Sequence, residues 1–96
     1  MNEQMQKITD FLKYKVTNQN ASDTDKVAWM FTVEKPELLN KAIKAVFPDP
    51  TDQPGNEAVE RLREFIKEHL LVFHEADIQL DTEAVDYTTI FVAFFL

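Results

Sequence analysis

The last seven residues of the chain, Ile90-Phe91-Val92-Ala93-Phe94-Phe95-Leu96, are all apolar. A chain end is where order usually fades and polar residues collect. A run of this kind needs cover from the rest of the fold or from a partner, because an exposed apolar strand is an aggregation site. Side chains alternate along a strand, so residues 87–96 taken as a strand carry Tyr87, Thr89, Phe91, Ala93 and Phe95 on one face and Thr88, Ile90, Val92, Phe94 and Leu96 on the other. Both faces are apolar. Burying Ile90, Val92, Phe94 and Leu96 at roughly 2 kcal/mol each contributes on the order of 8 kcal/mol, comparable with a domain's whole net stability of about 5–15 kcal/mol. The pattern therefore predicts a strand in the middle of a small sheet.

Upstream, Met5, Ile8, Phe11, Leu12 and Val16 recur at steps of three and four, which predicts an amphipathic helix over residues 3–16. Residues 17–25 are polar and turn-forming. The stretch Val27-Ala28-Trp29-Met30-Phe31-Thr32-Val33 is rich in β-branched and aromatic residues, predicting a strand with Val27, Trp29, Phe31 and Val33 on one face. Pro36 suits the first turn of a second helix, with Glu37 at its positive end and Leu39, Ala42, Ile43 and Val46 on its apolar side. Phe47 precedes Pro48, which disfavours helical dihedrals, and residues 48–55 hold three of the four prolines and the only glycine. That connector reads as a loop.

Asn56 is a good N-cap candidate for a third helix, along which Val59, Leu62, Phe65, Ile66, His69, Leu70 and Phe73 keep helical spacing for about five turns. Ile78-Gln79-Leu80 alternates like a short strand, and residues 81–86 form an acidic connector into the final strand. The expectation is one α+β domain over residues 1–96, with a small antiparallel sheet of about three strands packed with three helices in the order α-β-α-α-β-β. The C-terminal strand is central, paired with residues 78–80 and flanked by residues 27–33. Three strands rarely cover a strand on both faces without helices or a second subunit. A homodimer through residues 90–96 is the specific expectation.

Charge is unevenly placed. Residues 1–47 carry seven lysines against six acids, whereas residues 48–96 carry eleven acids against three bases, for a net charge of −7 over the chain. After Lys67 there is no Lys or Arg, while Glu68, Glu75, Asp77, Asp81, Glu83 and Asp86 follow. Nucleic-acid affinity comes largely from basic residues displacing counterions, so direct nucleic-acid binding is not expected. A basic protein partner is compatible with this surface.

The inventory excludes several chemistries. There is no cysteine, which removes disulfides and thiolate nucleophiles or ligands. Ser22 is the only serine and has no nucleophile elbow around it, and a lone Gly55 cannot write a dinucleotide or phosphate-binding fingerprint. His69 and His74 lie five residues apart, about 140° around a helix, too far to share a metal. His69 reads as a core or boundary residue and His74 as a partner for the negative helix end. Asp77, Asp81, Glu83 and Asp86 lack calcium-loop spacing and read as a solvated acidic hairpin. Trp29, Phe31 and Tyr87 read as core, and Glu57, Glu60, Glu64 and Glu68 as a solvated helix face. No cofactor or metal is expected.

With no basic n-region, no apolar h-region and no run near the roughly 20 residues of a membrane span, the default expectation is a cytoplasmic protein without membrane association. The function expected is that of a small acidic, non-enzymatic interaction or regulatory module. It would be homodimeric through the C-terminal strand region, with Ile90, Val92, Phe94 and Leu96 as contacts and Glu75, Asp77, Asp81, Glu83 and Asp86 as an acidic docking surface. An alternative is an acidic inhibitor that mimics nucleic acid and blocks a basic groove on a partner. Less favoured is a small enzyme or ligand binder using His69 and His74.

Overall fold

The computed structural model describes residues 3, 6–8, 10–12 and 20–96. Those residues contain helices and connecting segments and no strand, so the expected α+β fold with its three-stranded sheet is overturned. Helix α1 spans Asp23–Trp29 and runs on as a π-helical turn over Met30–Glu34. Helix α2 spans Pro36–Val46, α3 Asn56–Glu68 and α4 Leu70–Glu75. A 3₁₀ turn at Thr82–Ala84 precedes α5, Tyr87–Phe95. Residues 6–8 and 10–12 are helical, within the helix expected over residues 3–16; Met5 and Val16 from that stripe lie outside the described residues.

The segment expected as the first strand is helical because its start is capped. Ser22 accepts a hydrogen bond from the Asp25 amide at 3.1 Å, and Asp23 and Asp25 sit in the first turn, where carboxylates suit the positive helix end. Val27, Met30 and Phe31 then fall three and four residues apart on a buried face, joined by Trp29, while Val33 turns outward. The helix finishes with a wider turn. The Lys35 amide donates to the Met30 carbonyl at 2.9 Å, five residues back, and the same widening lets Trp29 Nε1 donate to Glu34 five residues ahead. Lys35 precedes Pro36 and is forced out of the helical region, which ends the turn and starts α2 with proline in its first turn.

Residues 87–96, expected as the central strand, instead form α5. The Asp86 carboxylate accepts from the Thr89 amide at 3.1 Å and from its hydroxyl at 2.8 Å, closing the helix start. Read at 3.6 residues per turn, Tyr87, Ile90, Phe91, Phe94 and Phe95 make one face. Tyr87, Ile90 and Phe91 are buried, and Phe94 and Phe95 are partly so. Phe91 and Phe95 stack at 5.6 Å and both approach Phe47, while Phe94 meets Phe31 edge-on at 5.7 Å. One helical face thus gathers apolar residues that two strand faces were expected to share, and Val92, Ala93 and Leu96 are left outside it.

The Asp86 cap carries a pH dependence. Its bonds to the Thr89 amide and hydroxyl hold the carboxyl below the usual carboxylate range. A folded-state pKa that is depressed contributes stability that is full above the unfolded-state value and is lost as pH falls through the folded-state value. Asp86→Asn, which keeps a capping side chain but cannot titrate, should therefore show a smaller loss of melting temperature on acidification through the carboxylate range than the parent protein. Melting curves over a pH series measure this difference.

The five-turn helix expected from Asn56 is broken at His69. Gly55 is the N-cap and Asn56 the first helical residue. At the other end the His69 amide reaches back three residues to Ile66, which frees the Phe65 carbonyl. His69 Nδ1 donates to that carbonyl at 2.8 Å, and its ring stacks on Phe65 at 4.0 Å. Leu70, placed by spacing on the apolar side, is consequently exposed, whereas Phe73 remains buried. Helix α4 ends in a Schellman cap: the Asp77 amide donates to His74 at 3.0 Å, the Ile78 amide to Phe73 at 2.9 Å, and Asp77 takes a left-handed φ of 60°. Buried Ile78 and Phe73 supply the apolar contact that accompanies such caps. Residues 78–80, expected as a strand, are irregular backbone leaving this cap.

In α2 the buried line is Leu38, Ala42 and Val46, with Leu39 half-buried and Ile43 turned out, one position away from the expected stripe. It packs on α3, whose buried residues are Ala58, Leu62, Phe65 and Ile66, and α3 in turn packs on α5. Arg61 ties α2 to α3 by donating to the Val46 carbonyl at 3.0 Å and lying 3.8 Å from Asp52. The buried apolar residues of all these helices join in one cluster.

Candidate functional site

Helix α5 has no charged residue, and half of its circumference is open. Thr88, Val92, Ala93 and Leu96 are exposed, Val92 by 55% and Leu96 by 72%. A helix apolar all round is ordinarily a buried one. Nine residues at 1.5 Å each give a face about 14 Å long.

The residues expected to act together are separated by the helical geometry. Ile90, only 1% exposed, belongs to the core, and Phe94 leans on Phe31, while Val92 and Leu96 point outward. The acids lie on irregular backbone and helix ends rather than on a hairpin, and all five are exposed. Asp77 occupies the left-handed position of the α4 cap, Asp81 caps the 3₁₀ turn by accepting from the Glu83 amide at 3.0 Å, and Asp86 caps α5. Glu83 lies 3.9 Å from Arg63, and Glu75 is exposed at the end of α4.

The acidic connector is instead a strap held across the start of α1. Lys26 Nζ donates to the Gln79 carbonyl at 2.9 Å while pairing with Asp23 at 3.0 Å. Asp23 accepts from the Asp81 amide at 3.2 Å, and the Asp86 amide donates to Thr24 Oγ1 at 2.8 Å. Beside the strap, Arg63 lies over the Tyr87 ring at 5.0 Å. The Tyr87 hydroxyl donates to the Thr82 carbonyl at 2.7 Å; burial pushes its phenol up, partly countered by Arg63, so it stays a neutral donor.

These links also fix how α1 and α5 lie. Their starts are joined through Asp86 and Thr24, and further along Phe31 of the π-helical turn meets Phe94 of α5, so the two helices run side by side in the same direction. Between them and the N-terminal helical residues lies a groove of about 420 Å³. Its apolar lining comes from Ile8, Ala28, Ile90, Ala93 and Phe94, and its polar lining from Glu3, Lys7, Asp25 and the threonines 24, 32 and 89. Sequence reading missed this groove. The signal that could have found it is the spacing Ser22-x-x-Asp25, a helix-start pattern that would have put Asp25, Ala28 and Thr32 on one helical side.

Among the described residues no group of three or more His, Asp or Glu could hold a metal ion, and no helix is long and apolar enough to cross a membrane. No family model, curated protein or solved structure matches this chain.

Proposed function

We propose that this protein is a small non-enzymatic interaction module that pairs with a second copy of itself through the outer face of α5. The observation that carries the proposal is the exposed, uncharged surface of Thr88, Val92, Ala93 and Leu96. Charge selects the occupant. The chain carries −7 overall, so two copies repel unless they meet on a face of low charge, and residues 87–96 supply one without a charged side chain. Capping duties of Asp77, Asp81 and Asp86 support a structural rather than catalytic use of the acids.

The expected affinity is modest. A stable interface buries about 800 Å² per partner, more than one nine-residue helix face supplies. Sedimentation velocity over a concentration series should therefore show a reversible monomer–dimer equilibrium. Val92→Lys should shift it to monomer without changing the helical circular dichroism, whereas Leu71→Lys, on the exposed side of α4, should not. A wild-type chain that stays monomeric at its highest soluble concentration, or a Val92→Lys variant that pairs as well as the parent, would contradict the proposal.

A further inference from the structure

The groove between α1 and α5 has a direction. Thr24, Asp25 and Thr89 lie at the joined starts of the two helices, and Ala28, Ala93 and Phe94 continue along them. That end is polar, and beyond it the walls from α1 and α5 are apolar as far as Thr32. Its volume of about 420 Å³ lies within the range of small-molecule sites, about 300–1,000 Å³.

Two of the groove's three threonine hydroxyls are already committed as donors. The Thr32 hydroxyl gives its proton to the Ala28 carbonyl at 2.7 Å and the Thr89 hydroxyl gives its proton to Asp86 at 2.8 Å, so each oxygen offers only lone pairs to a ligand. Among the described residues, no hydrogen bond or ion pair is made by the side chains of Asp25, Glu3 or Lys7; the Ser22 bond to Asp25 engages its amide. Glu3 and Lys7 are four residues apart, and their opposite charges offset each other to first order. Among the described residues that line the groove, Asp25 is then the carboxylate with no cationic side chain set against it, faced only by the positive end of α1. The helix starts do not compete as anion sites, because Ser22 and the Asp86 carboxylate already cap them.

We infer that this groove binds a small cationic amphiphile, an aryl- or alkylammonium. Its ammonium head sits at Asp25 with the Thr89 oxygen accepting from it, and its hydrocarbon lies along Ala28, Ala93 and Phe94. The net charge of −7 favours accumulation of such a cation near the protein. The groove shares Ala93 with the pairing face proposed above, so the titration is run at a chain concentration where the protein is monomeric, which keeps a failure of ligand binding distinguishable from a failure of pairing.

The test is an NMR titration of the intact chain with three probes of one shape: 4-phenylbutylammonium, 4-phenylbutanol and 4-phenylbutanoate. The ammonium should shift the Ala28, Thr32 and Ala93 amides saturably and bind about two- to fivefold more tightly than the alcohol, the range of a solvent-accessible ion pair. The butanoate should bind more weakly than either. Asp25→Asn should erase the preference for ammonium over alcohol while leaving the alcohol bound, and Ala93→Phe, which fills the groove, should remove both. Equal or tighter binding of the butanoate, shifts confined to another surface, or a preference that survives in Asp25→Asn would each overturn the assignment.

Discussion

Replacing Ile90 by alanine should destabilise the protein by about 2–5 kcal/mol, the cost of a large-to-small change in a packed core. Replacing Val92 should change stability by less than about 0.5 kcal/mol, as exposed sites do. Ile90 is 1% exposed and Val92 55% exposed, on opposite sides of α5. In a strand the two residues would share a face and respond together. Alanine is also the better helix former, so Val92→Ala gains slightly where a strand would lose. Urea unfolding at a concentration low enough to keep the chain monomeric measures both changes. Comparable losses at the two positions would restore the strand.

Phe31→Ala should cost about 3–5 kcal/mol. Phe31 is 1% exposed and loses its edge-on contact with Phe94 at 5.7 Å, which ties the end of α1 to α5. For a domain of this size each kcal/mol lowers the melting temperature by about 4–8 °C, so the fall is on the order of 20 °C. Val33→Ala, at a position 42% exposed, should move it little. Thermal unfolding of the two variants separates the readings, because a strand over residues 27–33 places Phe31 and Val33 on one face.

Both contrasts show where the sequence was legible. Pro36 with Glu37 marked the start of α2, and Phe47 before Pro48 marked its end, because backbone restrictions at proline act locally. Leu62, Phe65 and Ile66 disclosed the core side of α3 through their spacing alone. The two segments assigned to strands are rich in Val, Ile, Thr and aromatic residues, whose β-preference reflects how they pack rather than an intrinsic backbone bias. Here α3 and the neighbouring helices provide that packing, and the caps decide the outcome: Ser22 for α1 and Asp86 for α5.

The site was legible only in part. The apolar run from residue 87 to residue 96 was evident, but period two grouped Ile90 with Val92 and period 3.6 parts them. The structural roles of Asp77, Asp81 and Asp86 at helix ends were hidden because their backbone partners are invisible in sequence. The break at His69 was equally hidden, since it depends on the imidazole replacing an amide at the Phe65 carbonyl.

The most direct measurement of pairing through α5 is an isotope-filtered nuclear Overhauser experiment on a mixture of labelled and unlabelled chains, at a concentration where the dimer is populated. Contacts between copies should involve the methyl groups of Val92 and Leu96 and the neighbouring Ala93, and none should reach Ile90. Intermolecular contacts confined to Leu70 and Leu71, or their absence from α5 in a sample that sediments as a dimer, would contradict it.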